Sequence, residues 1–120
     1  MGKQKVLIVD DEENIRLLYS EELRDRGYEV ETAESADQVE EKLKEFNPDI
    51  ITLDIRMPGI DGIEYLRKLR EENVQTPVIL CSAYSHYKQD FGSWVSDAYV
   101  VKSSQIDELA DAIKEILSQR

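Results

Sequence analysis

The stretch KVLIVDDEEN (residues 5–14) runs four consecutive aliphatic side chains, Val6 to Val9, straight into Asp10, Asp11, Glu12, Glu13 and Asn14. A short, continuous apolar run bounded by polar residues reads as a parallel strand buried on both faces, because a strand with one wet face would alternate. The acids then crowd the carboxyl end of that strand. Like charges at such density repel one another unless a positive group stands among them, so this end is the first place to look for function.

The same pattern recurs twice. IITL (50–53) ends at Asp54 and VILC (78–81) ends at Ser82, which predicts two more central strands. YEVETA (28–33) alternates and AYVV (98–101) is short, so both are expected nearer the sheet edges. Between these runs the period changes to that of helices. Ile15, Leu18, Tyr19 and Leu23 share a face ahead of Gly27, a helix stop. Ser35 and Gln38 form a capping-box pattern ahead of Val39, Leu43 and Phe46. Asp61 can cap a helix carrying Ile63, Leu66 and Leu69, and Ser104 one carrying Ile106, Leu109, Ala110, Ile113, Ile116 and Leu117. The alternation predicts an α/β fold: a (βα)5 doubly wound, five-stranded parallel sheet of flavodoxin-like type with strand order 2-1-3-4-5.

Composition bounds the rest. A chain of 120 residues is expected to form one domain, residues 1–120, with no second domain attached. No apolar run approaches the ~18 residues of a membrane span, and Val6–Val9 is too short for a signal-peptide core, so a cytoplasmic location is expected. Gly2 also lacks the Ser or Thr at position 6 that a myristoylation signal needs. Cys81, the single cysteine, has no partner for an intramolecular disulfide and reads as a small core residue. Against 26 acidic residues stand 15 basic ones, a net charge of −11, which opposes direct binding to nucleic acid.

In doubly wound sheets, ligands bind at the carboxyl ends of the strands, around the point where the strand order reverses. Those ends carry Asp10 and Asp11, Asp54, Ser82 and Lys102. With the first and third strands adjacent, three carboxylates should converge, and a hard divalent cation is the natural compensation. Mg²⁺ takes oxygen ligands and keeps waters that a phosphate can replace.

The DD pair, LDIRMPGIDG, CSAY and YVVK, at four successive strand ends, resemble the receiver domain of two-component response regulators, over essentially the whole chain. The resemblance implies that Asp54 is the phosphoacceptor, attacking a phosphohistidine of a sensor histidine kinase or phosphotransfer protein as a carboxylate nucleophile. It implies that Asp11, Asp54 and the backbone carbonyl of Arg56 bind Mg²⁺ directly and that Asp10 holds it through water. Lys102 and Ser82 would contact the phosphoryl group, and Tyr99 would change rotamer as Ser82 bonds it. Arg56 and Tyr84 flank the expected path of attacking water and should tune the lifetime of the phosphorylated state. The partner would read a face formed by residues 84–95, 98–101 and 105–118, within which Tyr84, Tyr87, Phe91 and Trp94 recur at helical spacing. The chain departs from the family where Ser103 follows Lys102 in place of proline; a trans bond is expected there, or a cis bond held by its surroundings.

Other readings of the same residues are blander or different in kind. Asp10 and Asp11 can cap the helix that follows, and His86 has no metal-ligand partner at usable spacing. A receiver that signals without phosphate is a second function. A third is an aspartyl-nucleophile Mg²⁺ phosphohydrolase, which needs an acid two residues after its nucleophile, where Arg56 stands. A mononucleotide binder needs free N–H groups where DDEEN presents negative charge. On the receiver reading the chain is a switch, with no enzymatic activity beyond its own phosphorylation and dephosphorylation.

Overall fold

The computed structural model describes residues 2–57, 60–82, 98–101 and 106–119, with the side chains of Met57 and Ile60 left aside. Its elements run β1 (Lys5–Val9), α1 (Glu13–Asp25), β2 (Glu29–Ala33), α2 (Ala36–Glu45), β3 (Ile50–Asp54), β4 (Arg56–Met57), β5 (Ile60–Asp61), α3 (Gly62–Glu71), β6 (Val78–Ser82), β7 (Ala98–Val101) and α4 (Asp107–Ser118). The main sheet has the order β2-β1-β3-β6-β7 with every neighbouring pair parallel. With the two-residue antiparallel pair β4–β5 set aside, that is the expected 2-1-3-4-5. The helix expected between the last two strands falls in residues 83–97, outside the described residues, as do the aromatic stripe and His86.

Alternation along each strand divides the core in two. Val6 and Ile8 face Tyr19 and Leu23 of α1 and Leu109, Ile113 and Leu117 of α4. Leu7 and Val9 face the other way, toward Val39 of α2 and Tyr65, Leu66 and Leu69 of α3. This is why the runs at 6–9, 50–53 and 78–81 carry no polar alternation: every residue of them is buried, with Thr52 the one hydroxyl among them.

Helix ends follow local chemistry. Gly27, at φ +98°, closes α1 in a Schellman arrangement, its N–H bonding to the Arg24 carbonyl and that of Tyr28 to the Leu23 carbonyl. Asn73, at φ 64°, closes α3 in the same way through Arg70 and Leu69, and Asn47, at φ 52°, follows α2. At the N-termini, Asp61 caps α3 by accepting from the Ile63 N–H at 2.7 Å. Ser35 stands at the N-cap of α2 but makes no side-chain cap bond. Gln38 reaches one residue further back and accepts from the Glu34 N–H at 2.9 Å, so the capping box is not formed. In α4 the N-cap position is held by Ile106, and Ser104 lies outside the described residues.

Tyr65 joins α3 to α2, donating its hydroxyl to the Ala36 carbonyl at 3.3 Å. Burial, reinforced by the carboxylates of Glu40, Glu72 and Asp37, pushes its phenol up to about 12.

Candidate functional site

Register places the acids. Val9 of β1 aligns with Leu53 of β3 and with Ala33 of β2, so Asp10 and Asp54, each one residue further, stand side by side at the carboxyl edge. Adjacent strands lie about 4.8 Å apart, so the two acids are near neighbours by construction of the sheet. Asp54 aligns in turn with Cys81 of β6, which sets Ser82 one step beyond, and Ser82 aligns with Val101, the last residue of β7. Lys102 follows Val101 in the chain and lies outside the described residues, as does Tyr84. The bond between Lys102 and Ser103 lies there too.

Asp10 and Asp54 are each only 3% exposed, and Ser82 is 2% exposed. Buried carboxylates are costly unless hydrogen-bonded or balanced by a cation. Both use the same local device. Asp10 Oδ1 accepts from the Glu12 N–H at 2.9 Å and Asp54 Oδ1 from the Arg56 N–H at 3.3 Å, a bond to the backbone two residues on that tightens the turn after each strand. The helix-capping role considered for Asp10 and Asp11 is not formed: Glu12 holds the N-cap position of α1 without a side-chain cap bond, and the Asp10 bond closes the turn ahead of it. Asp11 and Glu12 are exposed, and among the described residues the oxygens of Asp10, Asp11 and Glu12 lie within 4.8 Å of one another. An all-oxygen, all-anionic donor set of this kind suits a hard cation such as Mg²⁺. Where the sequence leads one to expect Asp10, Asp11 and Asp54 to converge, the cluster found among the described residues holds Glu12 as its third member in place of Asp54.

Two further residues shape the edge: Arg16, which no pattern marked, and Gly62, which closes the LDIRMPGIDG motif but was given no role. Arg16, on the first turns of α1, donates from Nη1 to the Asp10 carbonyl at 2.8 Å, while its Nη2 lies 3.5 Å from Glu34 Oε2. It therefore ties the ends of β1 and β2 together. Gly62, the first residue of α3, donates its N–H to the Ile55 carbonyl at 2.6 Å, next to Asp54. Tyr99 lies on β7 opposite Leu80, half-buried against the cluster that includes Leu80 and Leu66.

Comparison with known proteins decides the family. The family model described as response regulator receiver domain matches residues 6–114. The chain belongs to the response regulator receiver family. This receiver domain is 35% identical over 117 residues to chemotaxis protein CheY of Bacillus subtilis, covering 95% of this chain and 98% of that one. It is 36% identical over 107 residues to regulatory protein AtoC of Escherichia coli, where it covers 88% of this chain and only 23% of AtoC. Among solved structures, the Thermotoga maritima response regulator TrrA, in complex with Mg²⁺ and BeF, superposes with a TM-score of 0.86 at 46% identity over 93% of this chain and 97% of that one. TrrA in complex with the histidine kinase ThkA gives the same TM-score and identity over 95% and 98%.

Membership fixes the class of chemistry. Receiver domains are phosphoacceptors rather than enzymes of the classical kind. No described helix is long and apolar enough to cross a membrane.

Proposed function

We propose that Asp54 accepts a phosphoryl group from the phosphohistidine of a sensor histidine kinase or phosphotransfer protein, and that the modified domain presents a changed face to a downstream protein. The observation that supports this is the alignment of Val9 with Leu53, by which the buried Asp10 and Asp54 follow on adjacent strands, with the exposed Asp11 next to Asp10 in the chain. The TrrA structures, one with Mg²⁺ and BeF and one with a histidine kinase, support it by likeness.

In this reading Asp11, Asp54 and the Arg56 carbonyl hold Mg²⁺, with Asp10 acting through water. The ion, when bound, would neutralise charge on the transferring phosphoryl group. An Asp54 carboxylate oxygen forms the new O–P bond while the P–N bond to the donor imidazole breaks, the electron pair leaving with the ring. Lys102 supplies positive charge to the phosphoryl oxygens from the side opposite the acids, and the Ser82 hydroxyl donates to one of them. Tyr99 then follows Ser82 inward. Arg56, exposed, and Tyr84 tune access of water to the acyl phosphate.

The downstream protein would read residues 84–95, 98–101 and 105–118. Turnover beyond self-phosphorylation and self-dephosphorylation is not part of this reading. Nor is direct contact with nucleic acid, which a net charge of −11 opposes. A cytoplasmic location and a single domain over residues 1–120 complete it.

The test is beryllofluoride, a phosphoryl mimic, added with Mg²⁺ to ¹⁵N-labelled protein. Amide shifts at residues 10–12, 54–56 and 82 are expected in the parent and not in Asp54→Ala or Asp11→Ala. Equal responses in all three proteins would refute the assignment.

A further inference from the structure

Gly62 opens α3 directly against the end of β3. A Cβ at this position would overlap the Asp54 carbonyl oxygen and stand 2.8 Å from Ile55 Cα and 3.0 Å from the Asp54 carbonyl carbon. All three are backbone atoms, so no rotation of a neighbouring side chain can make room. Gly27 supplies the contrast. Its φ of +98° demands glycine, but the space where its Cβ would go is open. Gly27 is needed for its dihedral angles, whereas Gly62 is needed for space, and the atoms that occupy that space belong to Asp54 and the residue after it.

Both sides of the contact are held in place. The Ile55 side chain is fully buried, and its N–H donates to the Cys81 carbonyl at 3.0 Å, fixing that peptide to β6. On the other side α3 is anchored by Tyr65, Leu66 and Leu69, each no more than 1% exposed, and by the Asp61 cap. A methyl group at position 62 must therefore displace the Asp54 peptide, move the helix start, or both.

We propose that Gly62 is a positioning residue for phosphoryl transfer: its missing side chain sets where the Asp54 carboxylate stands relative to Asp10 and Asp11. The proposal rests on the reading of Asp54 as phosphoacceptor. Displacing a nucleophile by about 1 Å can cost about 100-fold in rate.

The experiment compares the parent, Gly62→Ala and Gly27→Ala for melting temperature, Mg²⁺ affinity, and the rate of phosphorylation by acetyl phosphate at saturating Mg²⁺. The expected result is that Gly62→Ala folds, binds Mg²⁺ more weakly and is phosphorylated at least tenfold more slowly. Gly27→Ala should lose stability and keep the parental rate. A parent not phosphorylated at Asp54 refutes the underlying reading and this proposal with it. A phosphorylated parent together with a folded Gly62→Ala that reacts equally fast overturns the proposal alone, since a purely structural role lowers the melting temperature without touching the rate. Should Gly62→Ala fail to fold, the parent itself carries the test. Mg²⁺ and beryllofluoride should then shift the Gly62 amide resonance and slow its exchange at least tenfold, with no such change at Gly27, and an unaltered Gly62 amide overturns the proposal.

Discussion

Arg16 donates a hydrogen bond of 2.8 Å to the backbone carbonyl of Asp10, and its other terminal nitrogen faces Glu34 at 3.5 Å. A planar guanidinium can serve both acceptors at once, one at the end of β1 and one just past β2, where a lysine ammonium would have to choose. The contact fixes the peptide from which Asp10 and Asp11 project.

Arg16→Lys is therefore expected to weaken Mg²⁺ binding by about tenfold, the lower end of what is lost when a residue supporting metal ligands is changed. The substitution keeps the positive charge, so any loss reports geometry rather than electrostatics. Titration calorimetry with MgCl₂ measures it, and an unchanged affinity would show that the Asp10 turn holds itself.

The N-termini of α2 and α3 should behave differently. Asp61→Ala removes a 2.7 Å bond to the Ile63 N–H and should cost about 1 kcal/mol. Ser35→Ala removes no cap bond and should stay within about 0.5 kcal/mol of the parent. Urea unfolding of both variants checks this, and equal losses would contradict the cap assignments.

Tyr65 makes a prediction at alkaline pH. Its folded pKa, raised to about 12 chiefly by burial, lies above the ordinary value of 10.0. The group favours folding in its neutral form, so its contribution is complete below pH 10 and is lost as pH rises through 12. Tyr28, raised less and also by burial, titrates in the same direction. Stability of the parent should fall between pH 10 and 12, and Tyr65→Phe should flatten that fall while costing about 1 kcal/mol at neutral pH for the lost bond to Ala36. Identical pH profiles would mean that Tyr65 is not the titrating group.

The strands were legible because burial on both faces leaves a plain signature, as in VLIV, IITL and VILC. The acids at their ends were legible for the same reason, since an Asp ending an apolar run stands out. What escaped depends on distances that no period encodes. Asn47 and Asn73 end helices as Gly27 does, and a tolerance of asparagine for positive φ was the available signal. The β4–β5 pair is two residues long and has no pattern to detect. The capping box failed because Gln38 found the Glu34 N–H, one residue earlier than the motif requires. Arg16 looked like any helix arginine, and Gly62, although it ends the LDIRMPGIDG motif, showed no role until the chain folded each against a neighbouring strand end.

The account turns on Asp54 as the phosphorylated residue. Intact-protein and peptide mass spectrometry after incubation with acetyl phosphate and MgCl₂ tests it most directly. The expected result is one labile, hydroxylamine-sensitive phosphoryl group in the peptide containing Asp54, absent without Mg²⁺ and absent in Asp54→Asn. A phosphoryl group that forms equally in Asp54→Asn, or that maps to another residue of the parent, would contradict the account.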